Sequence, residues 1–320
     1  MRGLRKYLVN DFARQESDRS SSHSSAHLAS GWYRNVSAAL CTVLVAVGLP
    51  AGGLAQAQPA DGEAIPCAPM PMDQAEILRA FRQSFITPDQ KVDYAVFTNS
   101  PAMRALRQDE EQRRFSDYGN LCRYAEANAR LKDKSALDVV FIGDSITENW
   151  AQADVTLFDG QKVVGRGIGG QTTPQMLLRF YADVVALHPK VVHIMAGTND
   201  VAGNTGYRSD ADIENNLRAM TELAQANGIR VILASIPPAA AFSWAPDVKP
   251  SNRIARLNDF IQQYAKRRGA VFVDYFKILN NGSGGLRSDL SNDGVHPNSR
   301  GYGVMKKLAK QALRDANISK

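Results

Sequence analysis

The stretch Val139-Val140-Phe141-Ile142-Gly143-Asp144-Ser145-Ile146-Thr147 decides the fold. An apolar run without alternation reads as a strand covered on both faces. The run stops at a glycine and hands over to small polar residues, so Ser145 arrives at the carboxyl end of a strand. Open α/β sheets bind their ligands at that edge. Ser145 therefore has a nucleophile's position, and the rest of the chain must supply a base and a site for an oxyanion.

Further short apolar runs follow, giving strand candidates at 138–142, 162–165, 190–195, 230–235 and 271–275. Helical patterns fall between them. Ile213, Leu217, Met220 and Leu223 make one apolar stripe, ended by Gly228, and Ile254, Leu257, Ile261 and Tyr264 make another, ended by Gly269. A last helix is expected from about Tyr302 to Ala316. Five strand–helix repeats predict an α/β fold, a three-layer α/β/α sandwich around a five-stranded parallel sheet.

Among the five histidines the base is found by elimination. His23 and His27 fall in the leader, His193 is inside a buried strand, and His188 enters that strand at its amino end, the wrong edge. His296 remains, in the loop Asn292-Asp293-Gly294-Val295-His296-Pro297 after the last strand. Asp293 lies three residues earlier, close enough in a tight turn to reach His296 Nδ1 and hold its tautomer. The alternative for Asp293 is an Asx turn or a cap for the final helix. Oxyanion donors are offered by two further strand-end loops, Gly167-Ile168-Gly169-Gly170-Gln171-Thr172 and Gly197-Thr198-Asn199-Asp200. Gly165, Gly167 and Gly170 also spell G-x-G-x-x-G. That spelling follows the second strand of the domain, without the acidic partner of a dinucleotide site, and no G-K-[ST] motif is present.

The blocks Gly143-Asp144-Ser145, Gly167-Ile168-Gly169-Gly170, Gly197-Thr198-Asn199-Asp200 and Asp293-Gly294-Val295-His296, in that order, resemble the SGNH, or GDSL-type, hydrolase superfamily over roughly 138–316. The resemblance implies a flavodoxin-like sheet and serine esterase chemistry with no metal and no organic cofactor. By the same resemblance Ser145 is the nucleophile and, through its N–H, the first oxyanion donor. Gly170 is the second through its backbone, Asn199 the third through its side chain, and Asp293 and His296 complete the triad. Asp144 beside the nucleophile, and Phe242 and Trp244 in the loop from Pro237 to Pro250, are candidate substrate-lining residues. The two aromatics stack on a sugar or line an acyl pocket, or else they only anchor the loop.

The expected organisation is a leader and signal peptide at 1–57, a mainly helical extension at 58–135 and the hydrolase domain at 136–320. Arg34, the uncharged apolar stretch from Val36 to Leu49 and Ala55-Gln56-Ala57 follow the order of a cleaved export signal. The polar start is unusually long, which leaves a downstream start or an uncleaved anchor as alternatives. Cleavage would leave no stable membrane span and a periplasmic or secreted protein. Export also gives meaning to Cys67 and Cys122, which either form a bridge or stay as two buried thiols. Of the net charge of +6, residues 1–57 carry six Lys/Arg against three Asp/Glu, leaving 32 against 29. No basic stripe with interleaved aromatics appears, which argues against a nucleic-acid partner. The expected function is an exported serine esterase acting on short-chain acyl or acetyl esters, small molecules or glycans. A lysophospholipase or thioesterase is the alternative within the superfamily, and a glycan-binding module with a vestigial triad the alternative outside it.

Overall fold

The computed structural model describes residues 67–131, 137–159 and 162–316. The expected signal segment and Cys41 lie outside the described residues. In chain order the elements are α1 (Met72–Ile86), α2 (Tyr94–Thr98), α3 (Pro101–Ser116), α4 (Cys122–Ala129), β1 (Val139–Gly143), α5 (Ser145–Ala153), β2 (Val163–Gly167) and α6 (Thr173–Asp183). They continue with β3 (Val191–Met195), α7 (Thr198–Ala202), α8 (Asp210–Ala226), β4 (Arg230–Ala234), α9 (Ser251–Arg268), β5 (Val271–Val273), α10 (Tyr275–Leu279) and α11 (Ser299–Asp315). The described residues all belong to one compact unit.

The five strands are parallel and run in the order β2-β1-β3-β4-β5. This is the flavodoxin-like order, with its switch point between β1 and β3. Gly143 at the end of β1 is level with Gly167 of β2 and Met195 of β3. The three strands therefore stop together, and their loops leave from one line.

Alternate strand residues feed the two covering layers. Val140, Ile142, Val192, Ile194, Val231 and Leu233 pack under α6, α8 and α9. Val139, Phe141, Val191 and Ile232 pack under α5, α10 and α11. Both faces being covered is why the strands read as unbroken apolar runs, and each large side chain so buried contributes about 1.5–3 kcal/mol.

Two of the boundaries that differ from expectation have a local reason. β5 ends at Val273 because the Asp274 carboxylate accepts from Lys277 N (3.0 Å) and starts α10. The last helix begins at Ser299, three residues before Tyr302. Asn298 Oδ1 caps it by accepting from Arg300 N (3.0 Å) and Gly301 N (3.1 Å).

The N-terminal helices pack on the sheet domain. Glu148 of α5, only 4% exposed, takes ion pairs from Arg82 of α1 (2.6 Å) and Arg123 of α4 (3.1 Å). The Tyr124 hydroxyl donates to the Gly167 carbonyl. Cys67 and Cys122 are bridged, across a separation of 55 residues. On the chain-entropy account a loop of that length contributes about 4 kcal/mol, so reduction, or replacement of both cysteines by serine, should lower the melting temperature by roughly 10 °C. A thermal melt with and without reductant measures this, and superimposable curves would contradict it.

Candidate active site

Ser145 is the first residue of α5. Asp144 precedes it as the N-cap, with Oδ1 accepting from Ile146 N (2.9 Å). This leaves the Ser145 N–H pointing off the helix start, where free N–H groups and the helix dipole favour negative charge. The helix can begin so close to the sheet because of two glycines. A Cβ on Gly143 would meet Thr147 Oγ1 at 2.2 Å and Met195 O at 2.7 Å, and one on Gly167 would meet Glu148 N at 2.2 Å. The first two glycines of the G-x-G-x-x-G spelling thus have a packing reason, since a Cβ on Gly165 would also lie 2.6 Å from Ala151 Cβ.

Ser145 Oγ lies 2.9 Å from His296 Nε2, and His296 Nδ1 lies 2.7 Å from Asp293 Oδ2. Asp293 divides its two oxygens between its own loop and the imidazole. Its Oδ1 closes an Asx turn by accepting from Val295 N (3.0 Å) and His296 N (2.8 Å), while Oδ2 faces the imidazole. The cap of the final helix falls instead to Asn298. Burial by itself would raise the Asp293 carboxyl, but the His296 charge and these hydrogen bonds outweigh it and hold it well below the usual range. Burial likewise pushes His296 down, yet Asp293 and, at longer range, Asp144 outweigh it and leave the imidazole above its ordinary value.

The second and third strand-end loops face the same point. Gly170 has φ +75°, a conformation that favours glycine, and its carbonyl accepts from Asn204 Nδ2 at 3.3 Å. Gly169 N donates to Glu148 Oε2 (2.9 Å), which anchors the loop to α5. Asn199 directs its amide to Gln171 O (3.1 Å) and, more weakly, to Asp144 Oδ2 (3.3 Å), with Asn204 Nδ2 donating to its Oδ1 (2.8 Å). Asp200 bolts this loop to the start of α6, behind the preceding one, by accepting from Thr173 N (2.9 Å) and Thr173 Oγ1 (2.7 Å).

The substrate-lining expectations are corrected in two cases. Asp144 is 2% exposed, because its carboxylate caps α5 and meets the Asn199 amide. Phe242 is 1% exposed and belongs to the hydrophobic core, beneath Trp244. Trp244 alone is open, 39% exposed, with its ring 6.3 Å from the His296 ring and Nε1 donating to Asn204 Oδ1 (3.0 Å). His193 is fully buried against Tyr275 OH (3.0 Å), and burial pushes it down to about 3. Among the described residues no group of three or more His, Cys, Asp or Glu is arranged to hold a metal ion.

Some contacts at the site have no sequence signal. Phe85 of α1 places its ring 4.4 Å from the His296 ring, and Tyr94 of α2 donates its hydroxyl to Asp293 Oδ2 at 2.7 Å. Asn292 Nδ2 donates to the carbonyls of Ser84 (2.8 Å), Phe85 (3.2 Å) and Thr87 (2.6 Å). The extension thus forms one side of the site.

A parallel 2-1-3-4-5 sheet whose switch point carries a serine, a histidine and an aspartate in series has the architecture of an α/β ester hydrolase. The GDSL-like Lipase/Acylhydrolase family model matches residues 141–304, and the chain belongs to that family. A solved GDSL-like lipase from Bacteroides thetaiotaomicron VPI-5482 is 43% identical with a TM-score of 0.60, over 62% of this chain and 99% of that one. An uncharacterized lipoprotein of Bacillus subtilis (strain 168), YqeF, is 31% identical over 48% of this chain and 76% of its own length. An acetylxylan esterase of Xylanibacter ruminicola is 26% identical over 57% of this chain and 44% of its own length. The chain is a carboxylic ester hydrolase.

Two carboxylates with opposite environments flank His296. Burial pushes Asp144 up to about 6, while Asp293 stays well below the usual range. His296 can accept a proton only when neutral, and its value is raised above 6.5. The acid limb of kcat/KM is therefore expected above pH 6.5, with activity rising as pH rises through it. Asp144→Asn keeps a capping oxygen and removes a charge that favours the imidazolium, so it should move that limb to lower pH. A pH–rate profile of both forms checks the sign, and an upward move would refute this electrostatic assignment.

Proposed function

We propose that this chain hydrolyses short-chain acyl or acetyl esters borne on carbohydrate, through an acyl-enzyme on Ser145. The observation that carries the reading is the unbroken series from Ser145 Oγ through His296 to Asp293, with separations of 2.9 and 2.7 Å. In this mechanism His296 Nε2 takes the Ser145 proton as Oγ attacks the ester carbonyl. The Ser145 N–H, the Gly170 N–H and the Asn199 amide receive the developing oxyanion, Asn199 giving up its longer bond to Asp144. Collapse of the tetrahedral species expels the alcohol, which takes its proton from His296. A water deprotonated by the same imidazole then releases the acid.

Two observations favour a carbohydrate ester. Trp244 presents an open indole face beside His296, a surface on which a sugar ring can stack. An acetylxylan esterase is among the relatives. Export remains part of the proposal. It is supported by the signal-like order of residues 34–57, by the Cys67–Cys122 bridge and by a lipoprotein relative. Among the described residues no helix is long and apolar enough to cross a membrane.

Ser145→Ala should lower hydrolysis of p-nitrophenyl acetate by at least ~10³-fold, and equal rates in the two proteins would remove Ser145 from the chemistry. A chain-length series from acetate to palmitate, run beside acetylated xylooligosaccharides, tests the substrate class. Rates that climb with chain length would replace the carbohydrate-ester reading by a lipase-like one. Asn199→Ala should cost about 10²- to 10³-fold in kcat with the fold intact by circular dichroism.

A further inference from the structure

The geometry points to Tyr94 as a positioning residue for the Asp293–His296 pair, supplied by the N-terminal extension. This inference rests on the serine-hydrolase reading above. The two oxygens of Asp293 are held in different ways. Oδ1 is fixed within its own loop by Ser291 Oγ (3.1 Å), Val295 N (3.0 Å) and His296 N (2.8 Å). Oδ2 receives the His296 ring at 2.7 Å and, from 199 residues earlier in the chain, the Tyr94 hydroxyl at 2.7 Å. An ionised carboxylate is an acceptor only, so every group around it must donate. Tyr94 and the imidazole share Oδ2. The carboxylate plane is then set on both oxygens, and with it the line from Nδ1 through Nε2 to Ser145.

Tyr94 is itself held firmly. Asp93 caps α2 by accepting from Ala95 N (3.0 Å) and Val96 N (3.2 Å). Phe81 and Phe85 pack against the Tyr94 ring at centroid separations of 5.8 and 6.1 Å. Phe85 also lies against His296, and Asn292 ties the loop to the end of α1. Burial and the neighbouring Asp293 charge both keep the phenol protonated, so it donates at every working pH.

A purely anchoring tyrosine and a positioning tyrosine differ in what the loss of one oxygen does. Tyr94→Phe keeps the ring and its packing. The phenol's positive end offsets part of the Asp293 charge that stabilises the imidazolium, so removing it should raise the pH of the acid limb. The charged groups acting on His296 are Asp293 on its own loop and Asp144 at the N-cap of α5, and Tyr94 of α2 acts through Asp293. Tyr302 of α11 stands nearby, donating to Ile146 O at 2.9 Å. Only the phenol changes in this variant.

The test measures kcat, KM, the pH dependence of kcat/KM and the melting curve for wild type, Tyr94→Phe and Ser145→Ala, all with p-nitrophenyl acetate. The expected result is a kcat lower by about tenfold in Tyr94→Phe, with KM within twofold and the acid limb moved to higher pH. An unchanged kcat and acid limb, with Ser145→Ala inactive, overturns the role of Tyr94 and leaves the serine mechanism standing. A fall in kcat that tracks a loss of folded protein, with the acid limb unmoved, overturns it equally, since that is anchoring alone. Full activity in Ser145→Ala overturns the underlying mechanism, and the role of Tyr94 with it.

Discussion

The approach of α5 to the ends of β1 and β2 is the constraint on which this site depends. It exists because Gly143 and Gly167 present no side chain where Thr147, Glu148 and the Met195 carbonyl already stand. With that contact made, Ser145 begins the helix at the switch point, and Glu148, one turn on, reaches the Gly169 amide. A buried arginine completes the bracing. Arg179 donates to Gly143 O (3.0 Å), Arg166 O (2.8 Å), Gln171 Oε1 (2.6 Å) and the Asp183 carboxylate (2.9 Å), so one cation ties the ends of two strands to the following loop. Fully buried charge is tolerated only when so thoroughly partnered.

Around His296 the protein separates two carboxylates by environment alone. Asp293 collects hydrogen bonds on both oxygens and stays ionised. Asp144 keeps only the α5 start and the Asn199 amide, and burial raises it. Divergent environments for chemically identical groups are how one site keeps distinct proton affinities near neutral pH. His193 shows the opposite use of the same residue type as His296: with no carboxylate beside it, burial alone leaves it neutral in the core.

How far the sequence could be read follows from the range of each interaction. Strands buried on both faces announce themselves as apolar runs, and a tight turn lets Asp293 be linked to His296 from spacing alone. Asp144 and Phe242 were legible only as neighbours of interesting residues. Their side chains turn inward because capping a helix and filling a core are stronger local demands than facing solvent. Phe85, Tyr94 and Asn292 had no signal at all. Their partners lie about 200 positions away in sequence, and no periodicity encodes a meeting of that range.

Those distant partners carry a consequence for how the molecule comes into being. Tyr94 with Asp293, Ser84 with Asn292 and Asp89 with Arg300 span separations of 199, 208 and 211 residues. Each of these contacts closes a loop of about 200 residues, so it needs both ends of that loop to be present. The extension leaves the ribosome early and must wait for the final loop and helix before the wall beside His296 exists. A polypeptide that stopped short of Asn292 would hold Ser145 without Asp293, without His296 and without the contacts that join the extension to their loop.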